Sequence, residues 1–411
     1  VIREANRSGV RVALVGGIVR DLLRGERTGR DVDLVVEGDA AELARRVAPA
    51  GRVTVHRRFG TATIEGEGGF RMDLASARRE TYPRPGALPE VERAALEDDL
   101  ARRDFSVNAI AWEPAAARLH DPFGGVADLA ARRLRVLHPR SFVDDPTRIF
   151  RAVRYANRLG LGIDASTKRL LRAALAAGAL ETVSADRIRN ELAKIVSEPA
   201  WPAAIRLAEK WGLLTALEPG WRISPRVRRA LVRAEDLANR VPPAAPRRAW
   251  LAGLLVAASE VRGPARHRLA VRLALSGDEL RAFERDLEAS DARTREESIA
   301  RAVLARTLAE RRILERRLTA PVRQSIRGAD LVGEGVPAGP AVGRALGETR
   351  RALEEGLIAP GEELSFAIAA GRRFLEEGVA GRRFLEKGAA GRRFLEKGVA
   401  GRRLSRGRDA K

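Results

Sequence analysis

GGIVRDLLRGERTGRDVDLVV, residues 16–36, decides how the rest of this 411-residue chain is read. Its end, Asp31–Val36, has the β-branched, apolar character of a strand. Gly16-Gly17 forms a turn between a preceding strand, Val10–Val15, and a helix opening at Ile18–Leu23. Strand side chains alternate between faces, so Asp31 and Asp33 share one face while Val32 points into the core. Two carboxylates this close repel each other, which is tolerable when they ligate divalent cations. Most such pairs are merely exposed acids, and it is the surrounding residues that distinguish this one. Glycines before a helix let a phosphate approach backbone N–H groups. Arg20, one turn into that helix, is placed to meet the same anion.

Outward from this stretch, Ala40–Val47 is amphipathic and helical, and Val53–Val55, Thr61–Ile64 and Phe70–Leu74 read as further strands. Asp73 lies in the last of these. It is a candidate third carboxylate, although a single acid on a strand has many structural uses. Glu80–Asp99, with Pro83, Pro85, Gly86 and Pro89, predicts a long mobile loop. Beyond residue 125 the strand signals fade and helical periodicity takes over. Helical runs fall at 145–159, 165–176, 184–196, 201–217 and 225–238, with more up to residue 318. The expected architecture is an α/β head followed by an elongated all-α body.

The chain carries 76 basic and 55 acidic residues, a net charge of +21, of which the segment 371–411 holds +8. The excess is therefore spread along the chain, as expected of a partner for polyanions, though an arginine-biased composition would also contribute. No apolar run is long enough for a membrane span, and the N-terminus does not read as a signal peptide. Val1 in place of an initiator Met is expected of a processed chain or one with upstream residues. The absence of cysteine excludes disulfides and thiolate metal sites and fits a cytoplasmic location. GRRFLEEGVA, GRRFLEKGAA and GRRFLEKGVA repeat across 371–400. A ten-residue period turns a helix by about 1000°, leaving each copy about 80° out of phase with the last. These glycine-rich copies predict a loosely ordered basic tail, with an RNA-contacting extension as the alternative.

Several further motifs follow in order: Arg102-Arg103-Asp104-Phe105-Ser106-Val107-Asn108-Ala109-Ile110, then Asp121-Pro122-Phe123-Gly124-Gly125 with Asp128-Leu129. After these come Asp144-Asp145-Pro146-Thr147-Arg148, running on to Arg151 and Arg154, and SADRIRNEL at Ser184–Leu192. Together with GG-x-VRD-x-L and D-x-D in Gly16–Asp33, they resemble, in order, the signature of class II nucleotidyltransferases. That family holds CCA-adding enzymes, their CC- and A-adding relatives, and bacterial poly(A) polymerases. The resemblance covers residues 12–195 and departs at Asp144, where the family usually has Glu. It implies a polymerase-β-like head with a mixed sheet, and two Mg²⁺ ions (Mn²⁺ as the alternative) held by Asp31 and Asp33. It also implies a nucleotide site formed by Gly16, Gly17, Arg20, Arg103, Asp145, Arg148, Arg151 and Arg154, with Asp104 and Asn108 bracing it or serving as turn and cap residues.

On a helix bearing Asp145, Arg148, Arg151 and Arg154, the first three span about 120° and can face one pocket, whereas Arg154 ends roughly opposite Asp145 and must reach around or serve the phosphates from the side. An Asp acceptor beside an Arg donor suits cytosine and adenine, which both offer an exocyclic amine beside a ring acceptor. Uracil and guanine place a carbonyl where the amine is needed. The structural alternative is an intrahelical salt bridge. His120-Asp121 could suggest a metal phosphohydrolase dyad, but His56, His138 and His267 show no matching spacing.

Among the family's products, the 80–99 segment resembles the loop retained by members that add the terminal adenosine. Ile326–Leu331 with Gly335, Gly339-Pro340 and Gly343 resembles the family's tail-domain pattern, with helix punctuation as the alternative. The expected partners are ATP, CTP and the acceptor or minihelix region of tRNA, with no membrane and no stable protein partner. The expected division is head 1–130, neck 131–196 for base recognition, body 197–320 and tail 321–370 for tRNA binding, and basic tail 371–411. A poly(A) polymerase, favoured by that basic tail, and a non-catalytic RNA-binding relative are the alternatives.

Overall fold

The computed structural model describes residues 1–26, 31–48, 52–56, 60–66, 69–240, 249–285, 295–305, 307–319, 325–354, 358 and 361–375. The head begins with α1 (Ile2–Arg7), β1 (Arg11–Val15), α2 (Gly17–Leu23), β2 (Asp31–Glu37) and α3 (Ala40–Val47). Then come β3 (Val53–His56), β4 (Thr61–Glu65), β5 (Arg71–Ser76), β6 (Arg78–Thr81), β7 (Glu90–Arg93) and α4 (Leu96–Ala101). β8 (Ala111–Glu113), β9 (Arg118–His120) and α5 (Gly125–Ala130) complete it.

Seven strands form one mixed sheet in the order β3-β4-β5-β2-β1-β8-β9. Only the β2–β5 pairing is parallel, with Asp33 directly beside Asp73 in register. Strand alternation sorts the core into two layers. Val32, Leu34 and Val36 pack with Leu43 and Ala44 of α3 on one face. On the other, Val35 packs with Ala13, Val15, Leu96 and Leu100. Asp31 and Asp33 project on this second side, where the apolar packing ends. The Asp39 carboxylate accepts from the Ala41 and Glu42 amides and caps α3, an interaction worth about 1 kcal/mol.

The segment expected to be a mobile loop is instead a β6–β7 hairpin leading into α4, with Thr81 paired to Glu90. Both strands, RRET and EVER, are mostly charged and contain no fully buried residue. The hairpin is thus held by pairing and by ion pairs of Glu80 with Arg78 and Arg102, and leaves no apolar period to read. Its tip is docked: Gly86 N donates to the Asp144 carbonyl (3.2 Å), and Arg187 Nη1 donates to the Gly86 carbonyl (2.7 Å).

From here the chain is helical apart from a two-residue parallel pairing of β10 (Arg133–Leu134) and β11 (Gly162–Ile163). The neck and body helices are α6 (Ser141–Asp144), α7 (Thr147–Leu159), α8 (Ala165–Ala176), α9 (Ala185–Val196), α10 (Trp201–Trp211), α11 (Leu213–Leu217) and α12 (Pro225–Arg240). The run expected at 201–217 breaks at Gly212, whose φ of 89° lies in the left-handed region. Further helices are α13 (Ala249–Ala257), α14 (Gly263–Arg272), α15 (Gly277–Glu284) and α16 (Arg295–Leu304). Trp221 is fully buried here and donates Nε1–H to the Ala257 carbonyl.

Residues 1–235 with 250–304 form one compact unit, and 236–249 with 305–411 a second. The second contains α17 (Leu308–Thr319), α18 (Gly328–Gly333), α19 (Pro340–Glu354) and a helix over 363–375. Its core joins Leu331, Val336, Ala345, Ala367 and Ala370, with Phe374 of the first repeat copy packed against it. The remaining repeats lie outside the described residues. No helix among those described is long and apolar enough to cross a membrane.

Candidate active site

One cleft of about 650 Å³ collects Gly16, Gly17, Arg20, Asp31, Asp33, Arg103, Asp145, Arg148, Arg151 and Arg154, every residue the motifs nominate. The sheet supplies the acidic end. Asp31 and Asp33 are exposed, and neither makes a hydrogen bond or ion pair with a described residue. The other acids lining the cleft are engaged: Asp21 by Arg20, Glu80 by Arg102, Asp104 by Arg151, Asp145 by Arg187 and Glu191 by Lys194. Desolvation raises the Asp33 carboxyl above its ordinary value, and Asp73 and Asp31 push it further, against Arg103 and Arg71. A cation would relieve this repulsion, so the donor set suits a hard divalent metal. Among the described residues no group of three or more His, Cys, Asp or Glu side chains has metal-holding geometry. A metal here would therefore take further ligands from substrate or water. Asp73 accepts from Thr63 Oγ1 (2.5 Å), pairs with Arg71, and lines a smaller hollow beside Asp33.

The glycine turn works differently from the simplest expectation. Gly16 N donates to the Ile110 carbonyl, so that amide is spent on the sheet. What requires glycine is the φ of 68° and a neighbour: a Cβ would sit 2.8 Å from Arg103 Nη1. Arg103 is held over the turn by Asp99 (2.9 Å), which is fully buried, and its Nε has no hydrogen-bond partner.

Asp104 and Asn108 do brace the site. Arg151 donates Nε–H to Asp104 Oδ2 (2.7 Å), Asn108 Nδ2 donates to Asp104 Oδ1 (2.9 Å), and Arg20 Nη1 donates to Asn108 Oδ1 (2.6 Å). This relay ties α7 to α2. Burial alone would raise the Asp104 carboxyl, but the Arg151 guanidinium holds it below the usual range, and Asp104 in turn raises Arg151.

Asp145 is not on the helix with Arg148 and Arg151, as the spacing suggested. It lies before α7 in an extended conformation (φ −134°, ψ 93°), because Pro146 disfavours a helical residue ahead of it. Its Oδ1 accepts from Thr147 N, Thr147 Oγ1 and Arg187 Nη2, while Oδ2 makes no hydrogen bond with a described residue. Arg148 is buried and aimed by Ser141 Oγ (2.7 Å) and the Arg102 carbonyl (2.8 Å), with Tyr82 Oη at 3.5 Å. Arg154, expected to reach around from the far side of the helix, lines the same cleft. Arg187, Asp99, Tyr82 and Tyr155 escaped the sequence reading, although Arg187 lay inside SADRIRNEL and Tyr82 and Asp99 inside the 80–99 segment. His120 pairs with Glu113, and Asp121 caps α5 through the Gly125 and Val126 amides, so they form no metal dyad.

A carboxylate pair on a mixed sheet, facing a wall of arginines across one cleft, defines the head of a nucleotidyltransferase. Residues 12–135 match the poly A polymerase head domain, and residues 160–224 match a probable RNA- and SrmB-binding site of polymerase A. A CC-adding tRNA nucleotidyltransferase of Deinococcus radiodurans is 34% identical over 372 residues, covering 87% of this chain and 89% of that protein. The chain belongs to the family of tRNA nucleotidyltransferases and poly(A) polymerases. An A-adding tRNA nucleotidyltransferase of Aquifex aeolicus is 43% identical over 223 residues, 53% of this chain and 27% of that protein. The chain spans less than half the length of the A-adding relatives it matches. A solved tRNA nucleotidyltransferase complexed with a primer tRNA and an incoming ATP analog has a TM-score of 0.61 at 28% identity, covering 77% of this chain and 97% of that one.

Proposed function

We propose that this chain transfers AMP or CMP to the 3′ end of tRNA without a nucleic-acid template, with the terminal adenosine as its best-supported product. The observation that carries this is one cleft holding an unpartnered carboxylate pair and, with it, an open acceptor, Asp145 Oδ2, and the Arg148 donor. The RNA 3′-hydroxyl oxygen attacks the α-phosphorus, the α–β phosphoanhydride bond breaks, and pyrophosphate leaves. Mg²⁺ ions, with Mn²⁺ as a substitute, held by Asp31 and Asp33 would supply charge neutralisation and an acidified hydroxyl. Arg20, Arg103, Arg151 and Arg154 hold the triphosphate. Asp145 Oδ2 accepts the base's amino hydrogen and Arg148 donates to its ring acceptor, so adenine and cytosine fit and uracil and guanine do not.

Adenosine addition draws support from the β6–β7 hairpin, whose tip docks beside Asp145, and from the A-adding relatives aligned over the head. The second reading is CC addition, favoured by the Deinococcus relative that covers most of the chain. The neck (131–196) reads the base, while the body (197–320) and tail (321–370) bind tRNA by shape and charge. The test supplies tRNA transcripts ending before CCA, after C and after CC, with ATP, CTP or both, and sequences the 3′ ends. AMP added only to the CC form means terminal adenosine addition. CMP added twice and then AMP means complete CCA addition, CMP added twice and then arrest means CC addition, and open-ended adenylation of unrelated RNA would sink all three readings. Normal extension by Asp31→Ala would remove the catalytic assignment.

A further inference from the structure

The approach of Arg154 to the cleft has a visible cause. Helical phase turns Arg154 about 60° from Arg151 and about 120° from Arg148, away from the pocket they face. The ring of Tyr155 lies under all three guanidiniums that converge there. Arg20 sits 5.6 Å from the ring centroid, Arg151 5.5 Å and Arg154 5.1 Å. Arg151 and Arg154 also each donate Nη2–H to the phenol oxygen, both at 3.4 Å. Phe105, fully buried, meets the ring edge-on at 5.9 Å and fixes its plane. Arg158 also lines the cleft and shares Glu198 with Arg154, but its side chain is 47% exposed against 13% for Arg154, which packs on the ring.

We propose that Tyr155 is a positioning residue that gathers Arg20, Arg151 and Arg154, drawn from two separate helices, into one polyphosphate-binding set. The proposal rests on the reading of this cleft as a nucleotide site. Three cations brought together repel one another; Asp21, Asp104 and Glu198 each pair with one of them, and the negative face of the ring and the phenol oxygen are what the set shares against that repulsion. The 3.4 Å bonds are long enough for a phosphate oxygen to displace. The ring therefore keeps the set assembled between turnovers, and the triphosphate completes it.

The test compares Tyr155→Phe, which keeps the ring, with Tyr155→Leu, which removes it. Binding of tripolyphosphate is measured by calorimetry, beside steady-state constants for ATP and tRNA and a melting curve. A cation–ring contact is worth roughly a two- to fivefold factor in binding. The Leu variant is expected to weaken ATP KM and tripolyphosphate affinity together by about tenfold, with kcat and the tRNA KM within about twofold. The Phe variant is expected to fall between it and the wild type. Unchanged tripolyphosphate affinity in a folded Leu variant would overturn the proposal. So would a loss shared equally by kcat, tRNA KM and melting temperature. If the Leu variant does not fold, Tyr155→Met is scored by the same criteria. Wild-type protein that binds tripolyphosphate but extends no tRNA would defeat the functional reading alone, and calorimetry on the variants would still decide the role of the ring.

Discussion

Gly16→Ala separates backbone strain from loss of function at the head's first turn. At φ 68° and ψ −124°, a positive-φ conformation outside the left-handed helical region, an added Cβ is strained by roughly 2 kcal/mol. It would also meet Arg103 Nη1 at 2.8 Å. The struck atom is the far end of a long side chain that can swing away, and Asp99 keeps Arg102 as a partner. Stability should therefore fall by little more than the backbone strain. At about 2–4 °C per kcal/mol for a domain of this order, melting should drop by about 4–8 °C. Activity should suffer more, because the displaced guanidinium no longer faces the nucleotide. A lost charged hydrogen bond of about 1.5–3 kcal/mol corresponds to roughly a ten- to hundredfold fall in kcat/KM for ATP. The assay is a double-mutant cycle with Arg103→Ala, read by both melting and tRNA extension. In the Arg103→Ala background the melting penalty of Gly16→Ala should persist while its kinetic penalty largely disappears. Fully additive kinetic losses, or a Gly16→Ala protein that melts like the wild type, would refute the reasoning.

Asp33 has a raised folded pKa, so its charge weakens the apo fold above that value, and the weakness disappears as pH falls through it. Asp33→Asn should therefore melt higher than the wild type at neutral pH in EDTA, equal it in acid, and lose extension; a lower neutral melting point would contradict this. Mg²⁺ should raise the melting temperature of the wild type but not of Asp33→Asn, and EDTA should abolish extension. Asp104 has the opposite sign: its depressed pKa stabilises at neutral pH, and the gain is lost as pH falls through the folded value. Asp104→Asn leaves Arg151 without its charge partner and should cost about 3 kcal/mol by denaturant unfolding, with the difference shrinking in acid. Gly86→Ala puts a Cβ 2.1 Å from Thr182 Oγ1 and 2.6 Å from its carbonyl, and no rotamer relieves the backbone collision. The hairpin tip should lift, become cleavable by protease between residues 82 and 89, and shift the ratio of A to C incorporated; an unchanged digest would count against the docking.

The head's core strands were legible because β1, β2, β4 and β5 pair an apolar face with turn residues at each end. The hairpin was not, since Arg78–Thr81 and Glu90–Arg93 are charged on both sides and gain order from pairing with each other. In the cleft, motif order nominated residues that do converge. Spacing alone misplaced Asp145, because a proline after it overrides helical phase, and it could say only that Arg154 must reach around, because phase says nothing about what a long side chain rests on. Tyr155 and Asp99 carry no recognisable spacing. Their contribution is to hold other side chains, and such partners become visible only once distant segments are folded together.

The Arg20–Asn108–Asp104–Arg151 relay bears on how such cleft halves can be exchanged between relatives. Its members come from three parts of the sequence, with Asp104 and Asn108 in one motif, and both Asp104 oxygens are already committed. A neck transplanted from a relative with another nucleotide preference would bring its own Arg151 counterpart to a seam cut for this one. Grafting is expected to preserve the grip only when Asp104 and Asn108 travel with the neck as a cassette. Altering preference in place, at Asp145 and Arg148, leaves that seam intact.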